Sequence, residues 1–408
     1  MKKKFITEFI LLSFLGGLTS LSLPPFNLFI INFFTFSIFF GLLFKNLNKK
    51  IEKKIFFFYG WFFGFGYFFT NLYWITISLS FDKNFSFLIP LALIFIPSFL
   101  ALFYGSITLI FYLFNPKNIL SAFFSFSVFF AIVEFIRGSI LTGFPWNLIV
   151  YSFSKNLSFL SILSLIGTYS LNLIVISFFT APAIYILRKS KKEIGVCIFL
   201  VLLPIIFFTH GNFQKKQFKN KELEKLSYTI RIIGSNISLE RFNNKIDTEE
   251  AIHELISISS PVSNEKTFFV WPEGIIPDTY QNEMLLYADI FNKSFSENHL
   301  LGLGITKKDS ENNENKFYNT FSIFDNKLNL IKSYSKIKLV PFGEFLPFEK
   351  ILNGLGLKTI TNNFGSFTRG SERDIIEIDN SFLKNLKFLP LICYEIIYSG
   401  NLTKNKNF

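Results

Sequence analysis

Up to about residue 210 the hydrophobic positions come in long, nearly unbroken runs, over residues 5–22, 25–44, 55–79, 86–114, 119–138, 157–187 and 194–209. Most approach or exceed the ~20 residues that a helix needs to cross the hydrocarbon core of a bilayer. The pattern therefore predicts seven membrane spans. The first, MKKK followed by an apolar stretch, also fits a signal peptide, but no convincing small-residue cleavage site precedes the next run. Basic residues fall in alternate connections: Lys2 to Lys4, then Lys45, Lys49, Lys50, Lys53 and Lys54, then Lys117, then Arg188, Lys189, Lys191 and Lys192. The connections near Asp82 and from Gly143 to Asn156 are almost free of them. The positive-inside rule assigns the basic set, and the N-terminus, to the cytoplasm. An odd number of crossings then delivers everything after residue 210 to the outer side, which in a bacterium is the periplasm.

After His210 the pattern changes. A polar stretch, GNFQKKQFKNKELEKL, reads as a linker over residues 211–226, and beyond it short apolar runs alternate with Asn, Ser, Lys and Glu. Period-two runs predict strands at Tyr228–Ile233, Thr267–Trp271, Leu300–Ile305, Tyr318–Phe324, Leu328–Tyr334, Asp374–Ile378 and Phe388–Cys393, with helices near Glu249–Ile258 and Gln281–Phe291. The expected architecture is a multi-span α-helical membrane domain over residues 1–210, the linker, and an α/β domain over residues 227–408. No internal repeat stands out.

Composition narrows the function classes. Half of the 408 residues are hydrophobic and 17% are charged, too apolar for a wholly soluble chain. The 59 phenylalanines, with abundant Ile, Leu, Asn and Lys, fit an AT-rich coding sequence and do not argue for aromatic recognition. A net charge of +12 raises the question of a nucleic-acid partner, but the basic residues sit in short clusters between apolar runs, as in a membrane protein. No nucleic-acid partner is expected. Two cysteines, Cys197 and Cys393, cannot build a disulfide framework, and the scattered His210, His253 and His299 have no metal-ligand spacing. No metal and no cofactor are expected.

Three reactive groups stand at or just past predicted strand ends: Glu273 after FFVWP, Lys336 after SYS, and Cys393 closing FLPLIC. Carboxyl ends of strands are where α/β sheets present rigidly held groups on exposed loops. A carboxylate can take the thiol proton, and an ammonium can favour the thiolate and stabilise an oxyanion, so no histidine is required. Taken singly, each has a plainer explanation: a cysteine ending an apolar strand is ordinarily a buried, inert thiol, and a lone Lys or Glu in a loop is ordinarily solvated surface. Their surroundings raise them. WPEGIIPD, YSKIKLVPFGEFLPF and ICYE punctuate apolar runs with Trp, Pro, Gly and acidic residues, which core strands rarely need.

WPE at Trp271 to Glu273, K-x-x-L-V-P-F-G-E at Lys336 to Glu344 and C-Y-E at Cys393 to Glu395 resemble the three catalytic segments of the carbon-nitrogen hydrolase (nitrilase) superfamily, in the version carried by apolipoprotein N-acyltransferases. Lys336 matches by standing three residues before Leu339; Lys338 is the decoy. The resemblance reaches into the membrane half through FGYFFTNLYW, ending at Trp74, through Glu134 and Arg137, and through TGFPWN at Thr142 to Asn147. It implies a nitrilase-like α-β-β-α sandwich and a two-step transfer. Cys393 would take an acyl chain from the sn-1 ester of a phospholipid, typically phosphatidylethanolamine, as a thioester. The α-amine of a diacylglyceryl-modified N-terminal cysteine of an apolipoprotein would then receive it. Glu273 would be general base and then acid, Lys336 the oxyanion stabiliser, and Glu344, Tyr394 and Glu395 supporting residues.

Glu134 and Arg137 lie three apart on one helix face near its outer end, where ionisable groups are costly unless paired or functional. They fit a structural ion pair or a headgroup contact. Together with Phe144, Trp146 and Phe242 they are candidates for a lipid entrance, with interfacial anchoring the plainer reading for Phe144 and Trp146. Phe242, in SLERFNN, stands where the family usually carries a Trp. The resemblance also implies further strands and a last span beyond the fifteen residues that follow Cys393, so the sandwich is expected to be incomplete at its C-terminus and the chain as written inactive. Two other readings compete: a membrane-tethered amidase that hydrolyses a small amide, since the three groups alone do not choose between water and amine, and a non-catalytic membrane protein.

Overall fold

The computed structural model describes residues 2–47, 49, 51–80, 83–222, 226–234, 247–276, 278–311, 314–347, 349, 365–378 and 386–398. The chain divides into two compact units, residues 1–222 and 223–408.

The first unit is helical: α1 Lys2–Ser20, α2 Ile31–Leu47, α3 Lys53–Asn71, α4 Ile89–Phe114, α5 Ile119–Arg137, the short α6 Leu157–Leu160 and α7 Leu163–Ile166, α8 Thr168–Leu187 and α9 Lys191–Asn220. Each apolar run of the sequence holds one long helix. Among the described residues four stretches, Ser86–Phe114, Ile119–Arg137, Thr168–Leu187 and Lys191–Asn220, are long and apolar enough to cross a membrane; α3 and the following 3-10 segment Tyr73–Ser80, bent by 48°, make a fifth if counted as one span. Their core is aromatic, with Phe39 and Phe63 stacked at 4.3 Å and both fully buried. Glycine lets the helices touch: a Cβ on Gly66 would sit 1.9 Å from the Ser13 carbonyl of α1, and one on Gly60 would sit 2.1 Å from the Tyr104 carbonyl of α4.

Three of the expected boundaries move. The run at 25–44 is not helical from its start, because Pro24 and Pro25, lacking amide hydrogens, hold a turn and α2 begins only at Ile31. The run at 157–187 breaks into α6, α7 and α8, the last break falling at Gly167 with φ +77°. Helix α9 starts on a Ser190–Glu193 capping box and continues through the first ten residues of the expected linker. The segment QKKQFKN favours helix, and Gly211 is required by packing: a Cβ there would lie 1.8 Å from the Ser158 carbonyl of α6.

The second unit is built on a five-stranded mixed sheet in the order β1 Thr229–Ile232, β2 Thr267–Glu273, β3 His299–Glu311, β4 Glu314–Phe324 and β5 Leu330–Ser335. The first three are parallel, and β4 is antiparallel to β3 and to β5. Hence β2, β3 and β5 all run the same way. Helices α10 Thr248–Ser259 and α11 Ala288–Ser294 contribute Ile252, Leu255 and Phe291 to a core with Phe269, Trp271 and Leu301. The opposite face packs Phe268, Leu300, Ile323 and Tyr334 against Ile376, Ile378 and Ile392. Ile376 and Ile378 belong to a second, two-stranded sheet, β6 Ile376–Ile378 with β7 Leu386–Phe388. The adjacent Phe268 and Phe269 thus face opposite layers, as strand alternation requires.

The expected strand Phe388–Cys393 is corrected: β7 ends at Phe388, since Pro390 cannot donate to a ladder, and Cys393 opens a 3-10 turn, Cys393–Ile397. The helical pattern at Gln281–Phe291 resolves into a 3-10 segment, Gln281–Tyr287, followed by α11.

Candidate active site

Glu273 is the last residue of β2 and Lys336 the first after β5, and because those strands are co-directional both emerge at the same end of the sheet. Simple alternation from Phe268 would put Glu273 on the helix-covered face. It does not stay there, because Val270 pairs with Gly302 while Glu273 pairs with Gly304, so three steps of β2 match two of β3. This bulge turns Glu273 onto the face of Phe268 and Val270, which is the face of Tyr334 and Lys336. Between them, Gly304 on β3 presents no side chain, and Asn319 on β4 projects into the gap.

The result is a compact charge cluster. The Lys336 side chain is 1% exposed, with its ammonium 2.8 Å from Glu344 Oε1 and 3.5 Å from Glu273 Oε1. Asn319 Nδ2 donates to both carboxylates, at 2.5 Å to Glu273 Oε1 and 2.8 Å to Glu344 Oε1. Glu344 is held in its own turn, its Oε2 accepting from the Val340 N–H at 2.8 Å and its N–H donating to the Val340 carbonyl at 2.9 Å. Burial pulls the Lys336 ammonium down, but the Glu273 and Glu344 carboxylates outweigh it and the pKa lies above the usual lysine value. Lys336 is a permanent cation at neutral pH.

Cys393 lies within electrostatic reach of these three groups. Its thiol pKa is pushed up, first by partial desolvation and then by the Glu273 carboxylate, while Lys336 and the Tyr394 amide pull the other way. At neutral pH the thiol keeps its proton. The residue is exposed and has φ +49°, a left-handed backbone that a non-glycine residue adopts only when its surroundings enforce it. The enforcing group is Glu395, fully buried, which accepts from the Ile392 N–H at 3.0 Å and from the N–H groups of Ile337 and Lys338 at 2.9 and 3.0 Å. Tyr394 packs edge-on against Tyr398 at 5.3 Å. Lys338 places its ammonium 5.0 Å from the centre of the Tyr398 ring. Among the described residues no three His, Cys, Asp or Glu side chains are grouped to hold a metal ion.

Two contributors are hard to see in the sequence. Asn319 announces itself only as a poorly strand-forming residue inside KFYNTFSIF. Arg373, which pairs with Glu395, lies in an unremarkable polar stretch.

In the helical unit Glu134 and Arg137 are 0% and 2% exposed and form an ion pair, Arg137 Nε donating to Glu134 Oε2 at 2.9 Å. The guanidinium also donates to the carbonyls of Phe144 and Trp146 at 2.6 and 3.0 Å, and the Tyr67 hydroxyl donates to the Asn147 carbonyl at 2.8 Å. Those bonds hold a loop with left-handed residues at Leu141, Gly143 and Asn147. Trp146 sits 5.6 Å from Trp74, ring to ring. The guanidinium thus bonds at once to the Glu134 carboxylate and to two carbonyls of this loop. Phe242 lies outside the described residues.

An apolar helical bundle joined to a mixed sheet with a carboxylate, a buried ammonium and a thiol near its strand ends defines a multi-pass membrane protein with an enzyme-like centre. Residues 15–181 match the family described as the apolipoprotein N-acyltransferase N-terminal domain. The apolipoprotein N-acyltransferases of Brucella melitensis biotype 1 and Brucella suis biovar 1 are each 30% identical over 404 residues, covering 95% of this chain and 74% of theirs. That of Allorhizobium ampelinum is 28% identical over 403 residues, with the same coverage. The chain belongs to the apolipoprotein N-acyltransferase family.

Proposed function

We propose that the protein N-acylates lipoproteins in two steps through a Glu273–Lys336–Cys393 triad. As an acyltransferase of lipoproteins it works on lipid and lipoprotein substrates at a membrane. The observation that carries the triad is the buried Lys336 ammonium, shared by Glu273 and Glu344 with the Cys393 thiol in reach. In the first step Glu273 takes the Sγ proton as sulfur attacks the ester carbonyl of a phospholipid, phosphatidylethanolamine in this reading. The oxyanion faces Lys336. Collapse breaks the carbon–oxygen bond, Glu273 returns the proton to the leaving lysophospholipid oxygen, and a Cys393 thioester remains. In the second step the α-amine of a diacylglyceryl-cysteine attacks the thioester and Glu273 takes the amine proton; as the carbon–sulfur bond breaks Glu273 passes that proton to sulfur, restoring the thiol and releasing the amide. Glu344 fixes Lys336, and Tyr394 and Glu395 support the nucleophile turn.

The helix layer, the five-stranded sheet and the two-stranded sheet support a nitrilase-like sandwich as the fold of the second unit. Seven helices of 17 residues or more are described in the first unit. If all seven cross, and the basic connections mark the cytoplasmic side, the sheet unit faces the periplasm of an inner-membrane protein.

The test is order of addition. The protein, expressed from its own gene and given labelled phosphatidylethanolamine, should hold the label as a thioester until a diacylglyceryl-cysteine peptide is added, then release it as amide. Label that passes straight to water, or no lipid-derived thioester at all, favours the amidase reading and overturns this one.

A further inference from the structure

Beside the charge cluster lies a second buried ion pair that the reaction does not touch. Glu395 ties two segments together: it accepts from Ile337 and Lys338, which follow Lys336, and from Ile392, which precedes Cys393. The Tyr334 hydroxyl also donates to it, its one hydrogen shared between Oε1 at 2.8 Å and Oε2 at 2.9 Å. Burying a carboxylate is costly unless it is hydrogen-bonded and paired with a counter-charge. Among the described residues its ion-pair partner is Arg373, whose side chain is 6% exposed; Nη2 meets Glu395 and Nε donates to the Tyr334 hydroxyl at 2.9 Å. Arg373 comes from the stretch leading into β6, outside all three catalytic segments.

We propose that Arg373 is a positioning residue for acyl transfer, holding Glu395 as the charged acceptor that sets the Lys336 ammonium against the Cys393 thiol. The inference rests on the triad reading. Arg373 contacts no reacting atom. Its planar fork meets the carboxylate and the tyrosine hydroxyl at once, which a lysine ammonium does only in part. Without it Glu395 is left as an unpaired buried charge and is drawn toward water. A carboxylate that turns away no longer accepts, so backbone N–H groups of the Lys336 or Cys393 segment lose their partner. A displacement of about 1 Å between reacting groups costs on the order of 10²-fold in rate.

The test measures the rate of thioester formation and its dependence on lipid concentration, in vesicles carrying labelled phosphatidylethanolamine. Arg373→Met should slow formation on the order of 10²-fold with KM for lipid unchanged. Arg373→Lys should recover part of the rate. The double variant Arg373→Met with Glu395→Gln, which has no buried charge to strand, should also exceed Arg373→Met alone. A wild-type rate in Arg373→Met, a loss confined to KM, or no recovery in either rescue overturns the inference. If Arg373→Met does not accumulate as folded protein, Arg373→Lys decides: a reduced rate at unchanged KM supports the proposal and a wild-type rate overturns it. Cys393→Ala separates the two levels. A thioester persisting in Cys393→Ala sinks the triad reading, whereas its loss there alongside wild-type rates in the Arg373 variants sinks only the inference.

Discussion

Gly304 offers the sharpest perturbation, because its missing side chain is what lets β3 lie close against the Glu273 backbone at the bulge. A Cβ at this position would lie 2.5 Å from Glu273 Cα and 2.8 Å from the Pro272 carbonyl oxygen. Carbon contacts settle at about 3.5 Å or beyond, so Gly304→Ala must push the Glu273 backbone by about 1 Å. The obstacle is backbone, in a bulge already locked to β3, and no side-chain rotation relieves it. A base misplaced by that much costs on the order of 10²-fold in kcat, or about 2.7 kcal/mol of transition-state stabilisation, and the lipid KM should be unchanged. Gly302→Ala is the control on the same strand and face. Its Cβ would meet ring carbons, Phe321 Cζ at 2.5 Å and Phe268 Cε2 at 3.1 Å. Overpacking of that kind costs about 1–3 kcal/mol of stability and should leave kcat intact below the melting transition. Steady-state acyl transfer and thermal unfolding, measured on both variants, check the pair. A wild-type kcat in Gly304→Ala, or equal kcat losses in both variants, would refute the placement of Glu273 as base.

Three further outcomes follow from the same geometry. Alkylation of Cys393 by iodoacetamide should titrate with a midpoint above the ordinary thiol value of 9.0; Glu273→Gln should move it down and Lys336→Met further up, while both variants lose acyl transfer. Midpoints moving in the opposite directions would contradict the electrostatics. Asn319→Ala removes the amide that donates to both carboxylates, and with hydrogen bonds to charged groups worth about 1.5–3 kcal/mol it should lower kcat at least tenfold at unchanged KM, checked by the same assay. Arg137→Met strands the buried Glu134 charge and frees the Phe144 and Trp146 carbonyls, so unfolding in detergent should show a loss of about 3–5 kcal/mol; a stability within experimental error of wild type would show that the pair does not hold the loop.

Glu273, Lys336 and Cys393 are legible in the sequence because WPE, KIKLVPFGE and ICYE interrupt apolar runs with residues that a core strand does not need. What brings them together is not legible there. Strand alternation alone sends Glu273 to the wrong face, and only the bulge against Gly302 and Gly304 corrects it. Asn319 reaches the cluster through its register opposite Thr306 and the bond from the Lys336 N–H to its carbonyl, both long-range features. Arg373 is likewise found by tertiary contact, not by pattern. The helical unit follows its hydropathy closely, apart from places where a local residue overrides the average: Pro24 and Pro25 delay α2, and Gly167 splits a run that hydropathy reads as continuous.

In the proposed reaction the acyl chain rests on Cys393 between the two steps. Protein incubated with labelled phosphatidylethanolamine and no acceptor, then digested and mapped by mass spectrometry, should carry one hydroxylamine-sensitive acyl group on the peptide containing Cys393 and none on that containing Cys197, the other cysteine. An acyl group on Cys197, or acyl transfer that proceeds undiminished in Cys393→Ala, would contradict the account.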